Sequence, residues 1–162
     1  MLHFRKFHER RGIGNLITAA GHMALTVTDI GTSAHFYSDV LGLPQIERPN
    51  FDRHGAWFTV GNLELHLIKG QAWVPTGEDL IVPHLAIETE DVDACIEKFK
   101  AMKPPIQFQL NVSVTTANEK GIVKQIFLRD PDGYYIEIGQ TSVLTKFCLG
   151  HDRYDAYKYK EF

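Results

Sequence analysis

The chain of 162 residues is 44% hydrophobic and 23% charged, with a formal net charge of −3. That is enough apolar matter for a packed core and no basic patch for nucleic acid. No apolar run approaches the ~20 residues that a membrane helix needs, and Cys95 and Cys148 read as free thiols in a reducing compartment. The expectation is a cytoplasmic protein with neither nucleic acid nor membrane as partner.

The chain opens on the basic, aromatic stretch Leu2 to Arg11. It reads as an N-terminal arm (1–19), and organelle import is the alternative. His22 to Val27 is rich in β-branched residues and predicts a strand. Asp29 then fits a helix N-cap, and Ala34, Phe36, Tyr37, Val40 and Leu41 follow at the three-and-four spacing of one apolar helical face. Gly42 fits a left-handed cap. Strands are expected over Leu43 to Glu47, Ala56 to Val60 and Leu63 to Ile68, the last two joined by a tight turn at Gly61–Asn62. After a linker holding Gly70, Pro75 and Gly77, the order repeats. His84 to Glu88 predicts a strand, and Asp91 or Asp93 caps a helix carrying Val92, Cys95, Ile96, Phe99 and Met102. Pro104–Pro105 ends that helix. Ile106 to Leu110, Ile122 to Arg129 and Tyr134 to Gly139 are the remaining strands, the last pair joined by the turn residues Asp130 to Gly133. The aromatic, charged end (141–162) is expected to dock on the domain or on a second chain.

The repeat itself is the most informative feature. His22 is followed by Ala24 and Asp29, and His84 by Ala86 and Asp91, so one βαβββ unit is written twice. The fold class expected is α+β, with modules 20–69 and 82–140 forming a half-open barrel-like sheet within one domain, 20–140.

Chemistry concentrates at equivalent places in the two modules. Strand residues two apart share a face, which puts His22 beside Ala24 and His84 beside Ala86, with space in front of each imidazole. Glu64 and His66 close the first module and Glu137 the second, each between apolar neighbours. A carboxylate on a half-buried strand is costly unless paired, protonated or bound to a metal. Taken singly, each His fits an edge position and each Glu the wet side of a strand. Recurring in register, they point to a divalent cation (Zn, Ni, Co, Mn or Fe) held by imidazole and carboxylate. Trp57 could line the pocket, and Tyr135, two before Glu137, could face the same cavity.

The stretches His22 to Asp29, Phe36 to Leu43, His84 to Ile87 and Phe127 to Glu137 resemble the vicinal oxygen chelate superfamily of glyoxalase I, fosfomycin-resistance proteins and extradiol dioxygenases. Gly55 to Phe58 and Leu65 to Ile68 are most similar to its glyoxalase-I-like branch. The resemblance implies a metal held in the cup between the modules by His22, His84 and Glu137, with a fourth-strand ligand that is either Glu64 or His66. It also implies a homodimer, and a lactoylglutathione-lyase-like metalloenzyme in which Glu137 or Glu64 carries the substrate proton and His66, Trp57 and Tyr135 line the substrate pocket. Arg48, Arg53 and Lys124 are the cations at hand for a glutathione carboxylate. Two alternatives stay open: a dioxygenase whose iron sits on His22, His84 and Glu137, and a binding protein of the same fold without turnover.

Overall fold

Each repeat folds into the same unit. In the computed structural model, which describes residues 12–13, 16, 19–50, 54–74, 83–114 and 122–143, the first module comprises β1 (His22–Val27), α1 (Ile30–His35), β2 (Gln45–Ile46), β3 (Gly55–Thr59) and β4 (Glu64–Lys69). The second comprises β5 (His84–Glu88), α2 (Val92–Ala101), β6 (Gln109–Val114), β7 (Ile122–Arg129) and β8 (Tyr135–Gly139). The sheets run β1-β4-β3-β2 and β5-β8-β7-β6. In each, the strand before the helix returns parallel to the last strand, and the other pairings are antiparallel. The class is α+β, as the duplicated pattern predicts. No helix among the described residues is long and apolar enough to cross a membrane.

The local chemistry accounts for the boundaries. Asp29 caps α1 through Oδ1, which accepts the Thr32 N–H at 2.7 Å; that bond holds its carboxyl below the ordinary range. Asp91 caps α2 by accepting the Ala94 N–H at 2.9 Å, while Asp93 pairs with Lys124 at 2.6 Å. Beyond His35 the first helix widens into a π turn, Phe36–Val40, with Leu41 N bonded back to Phe36 O. It ends at Gly42, whose φ of 72° suits glycine.

The strand expected from Leu43 shrinks to β2, because the Leu43 N–H is spent on Tyr37 O and Pro44 has none to give. The strand expected from Ile106 likewise starts at Gln109: the Ile106 N–H closes the α2 end on Phe99 O. The expected tail begins with Thr141 and Ser142 on the Glu88 carboxylate; residues 144–162 and most of the arm lie outside the described residues.

Alternation sorts the side chains. Leu65 and Leu67 on β4 and Ile136 and Ile138 on β8 turn into the core with Val27, Tyr37, Phe58, Ile126 and Leu128. Glu64, His66, Tyr135 and Glu137 take the opposite faces. The β7–β8 turn ties the modules together. Tyr37 donates to Asp130 Oδ2 at 2.9 Å, and Asp130 Oδ1 accepts the N–H groups of Asp132 and Tyr134. Asp132 accepts the Thr28 N–H at 3.0 Å, and Tyr134 donates to Thr26 O at 2.9 Å.

Burial holds the Asp130 carboxyl above the ordinary carboxylate range, against the pull of its own hydrogen bonds, and pushes the Tyr37 hydroxyl up as well. The folded chain therefore favours protonated Asp130. That contribution is full below the unfolded value of about 4 and is lost as pH rises through the folded value. Urea titrations across pH should show the stability gap between wild type and Asp130→Asn widening as pH falls from neutral. A gap that narrows would contradict the assignment. Tyr37→Phe, which strips Asp130 of a buried donor, should cost ~1–3 kcal/mol.

Candidate metal centre

The first sheet carries its polar residues across three neighbouring strands. Register sets His22 opposite Glu64, Ala24 opposite His66, and Trp57 opposite His66. The His66 ring lies between the other two. Its centroid is 3.6 Å from the Trp57 ring at an interplanar angle of 4°, and 4.2 Å from the His22 ring at 14°. His66 is 7% exposed, and its Nε2 donates to Glu64 Oε2 at 2.9 Å. Glu64 keeps 47% of its side chain exposed, with Oε1 unbonded among the described residues.

The second sheet holds the matching pair. His84 Nε2 stands 2.7 Å from Glu137 Oε2, and Gln125 Nε2 donates to Glu137 Oε1 at 2.7 Å. Glu137 is 4% exposed, so both carboxylate oxygens are satisfied where water scarcely reaches. Ala86 faces Glu137 in register and leaves room before it. The Phe127 ring stands edge-on to His84, 5.8 Å between centroids. Tyr135 is in register with His84 and accepts from Arg129 Nη2 at 2.6 Å.

The structure thus brings the expected residues together in two groups: His22, Glu64, His66 and Trp57 on one sheet, His84, Glu137 and Tyr135 on the other. No three His, Cys, Asp or Glu side chains among the described residues gather into a set that could hold a cation. Of the cations offered for a substrate carboxylate, Lys124 is spent on Asp93 on the helix side of its sheet, and Arg53 lies outside the described residues. Gln125 and Arg129 were not anticipated. The signal for them lies in the hairpin: the Asp130 to Gly133 turn pairs Phe127 with Glu137, so Gln125 and Arg129, two residues to either side of Phe127, must share the acid's face.

A family model described as glyoxalase/bleomycin resistance protein/dioxygenase superfamily matches residues 19–138. The chain belongs to that superfamily. Metallothiol transferase FosB of Staphylococcus epidermidis is 27% identical over 133 residues, covering 75% of this chain and 81% of FosB. Glyoxylase I 4 of Arabidopsis thaliana is 30% identical over 134 residues, covering 75% and 70%. A manganese-dependent 2,3-dihydroxybiphenyl 1,2-dioxygenase of Geobacillus genomosp. 3 is 32% identical over 128 residues, but the match spans only 36% of that enzyme. The superfamily fold is shared with the solved structure of the fosfomycin resistance protein FosX from Listeria monocytogenes, at a TM-score of 0.58 and 18% identity, covering 75% of this chain and 91% of FosX.

Gln125→Leu should leave Glu137 Oε1 buried without a donor and cost ~1–3 kcal/mol. A lower urea midpoint at unchanged slope would report it; an unchanged midpoint would mean that Glu137 does not depend on that amide.

Proposed function

We propose that the chain is a metal-dependent lyase or isomerase of the glyoxalase type, acting on a small substrate with adjacent oxygens. The observation that carries this reading is the His84–Glu137 pair, 2.7 Å apart on the open face of the second sheet, repeated at the equivalent place of the first sheet by His22 opposite Glu64. The kinship with the Arabidopsis glyoxylase supports it.

The donor chemistry fits a divalent cation: two imidazoles and two carboxylates are the ligands that Zn, Ni, Co, Mn and Fe(II) take. One chain supplies them as two pairs rather than one set, and the reading therefore includes a homodimer. His22 and Glu64 of one copy, with His84 and Glu137 of a second, would hold the ion. Glu64 is taken over His66 in this role, since the His66 ring is buried and clamped between Trp57 and His22, whereas Glu64 keeps an open oxygen.

Bound there, the cation supplies Lewis acidity toward the substrate oxygens. The chain does the rest. With Oε2 steadied by the His66 N–H, Glu64 Oε1 would leave the ion to take the proton from the carbon beside a carbonyl and return it to the former carbonyl carbon. Trp57 walls the face behind the imidazoles. Gln125 and His84 keep Glu137 aimed out of its sheet.

A second reading is favoured by the manganese dioxygenase relative: His22, His84 and Glu137 form a two-His-one-carboxylate set of the kind that oxygenases use. Metal analysis with turnover separates the readings. Bound Ni, Zn, Co or Mn with turnover of methylglyoxal and glutathione supports the first; bound iron or manganese with oxygen uptake on a catechol supports the second. Protein that takes up no metal would contradict both and leave a binding protein without turnover.

The shared site has its own test. His22→Ala and His84→Ala should each lose metal, while dissociated and re-associated mixtures of the two should regain it at about a quarter of sites, because a mixed C2 dimer rebuilds one intact site. No recovery in verified mixed dimers would place the ligands within single chains.

A further inference from the structure

Arg129 ends β7 on the open face of the second sheet, in register with Tyr135. Its Nη2 donates to the Tyr135 hydroxyl at 2.6 Å, and its guanidinium carbon lies over the Tyr135 ring, 4.5 Å from the centroid. A surface arginine kept only for solubility has no need of two contacts to one aromatic, and it loses rotamer freedom by making them. No carboxylate pairs with Arg129 among the described residues. The neighbouring Asp130 is buried, and both of its oxygens are spent on Tyr37, Asp132 and Tyr134. What remains is an oriented cation with most of its donor fork unused.

That fork borders a cleft of about 530 Å³, lined among others by Gln107, Gln109, Phe127, Arg129 and Tyr135. Two of its wall residues adjoin the second half of the metal centre: Phe127 is in register with Glu137 and edge-on to His84, and Tyr135 is in register with His84. Arg129 and Phe127 are two residues apart on one strand, so the backbone at Arg129 lies about 7 Å along the strand from the level of Glu137. A flat guanidinium backed by an aromatic ring leaves its edge for a planar, bidentate partner. Phe127 and Tyr135 supply an aromatic wall along the way.

We propose that Arg129, held by Tyr135, is the specificity residue of the site and recognises a carboxylate at the far end of the substrate. The substrate class is a small oxyacid, with a carboxylate on Arg129, a flat apolar middle against Phe127 and Tyr135, and adjacent oxygens at His84 and Glu137. The assignment rests on the metalloenzyme reading for the oxygen-binding end alone.

A suitable probe is 3,4-dihydroxybenzoate, which carries adjacent oxygens and a carboxylate at opposite ends of a ring, with the neutral 3,4-dihydroxybenzamide as control. In calorimetric titrations of the full-length protein in manganese chloride, the acid should bind at least about tenfold tighter than the amide. Arg129→Gln should erase that preference with an unchanged melting temperature, Arg129→Lys should retain part of it, and Tyr135→Phe should weaken it by freeing the guanidinium. Equal binding of acid and amide, a preference that survives in Arg129→Gln, or failure of the wild type to bind the acid would each overturn the proposal. Metal content of the same samples keeps the two readings apart. Bound metal without a charge preference sinks this inference alone, whereas an Arg129-dependent preference in metal-free protein leaves it standing and removes the metalloenzyme.

Discussion

On β4 and β8 the side chains alternate between a packed core and an open face, and that alternation decides where every candidate ligand stands. Leu65 and Leu67 must go inward, so Glu64 and His66 go outward; Ile136 and Ile138 must go inward, so Tyr135 and Glu137 go outward. A slip of one residue would exchange the two sets and bury both acids in hydrocarbon. The outward face is still not bulk water at Glu137, which is 4% exposed. A carboxylate in that position needs a donor for each oxygen, and His84 and Gln125 provide them. The charge is held in place by its neighbours rather than by solvent.

The same economy joins the modules. Asp130 to Gly133 is at once a hairpin turn and a clasp: its acids take the Tyr37 hydroxyl and the Thr28 N–H, and Tyr134 reaches Thr26 O. These bonds span about a hundred residues of sequence and set one sheet against the other. The π turn at Phe36–Val40 puts both Phe36 and Tyr37 into the core, which is where the clasp needs the tyrosine. A widened turn of this kind is uncommon and is associated with functional sites; here it serves the junction between the halves.

Much of this was legible in the sequence because the signals were local. The strand bounds of β1, β5 and β7, the Asp29 cap, the Gly42 stop and the Gly61 and Gly133 turns follow from alternation, capping and positive φ. The late starts of β2 and β6 were not legible, since they depend on which backbone N–H closes each helix end. The duplication also singled out the residues that the two sheets gather, without showing how they associate. Nothing in spacing alone says that His66 stacks between Trp57 and His22, or that the imidazoles and acids come as two pairs. Gln125 and Arg129 were within reach of hairpin register but lacked the type of side chain that draws the eye to a metal. The dual role of Asp130 was hidden behind its obvious value in a turn.

The account depends on two imidazoles, one from each repeat, acting on the same ion although one chain holds them in separate groups. Its most direct test is a titration of Mn²⁺ into protein carrying ¹⁵N-labelled histidine. Paramagnetic broadening should strike the ring signals of His22 and His84 together at the first equivalent, leaving the His35 signal sharp. Broadening of one without the other, or of neither, would contradict a common cation.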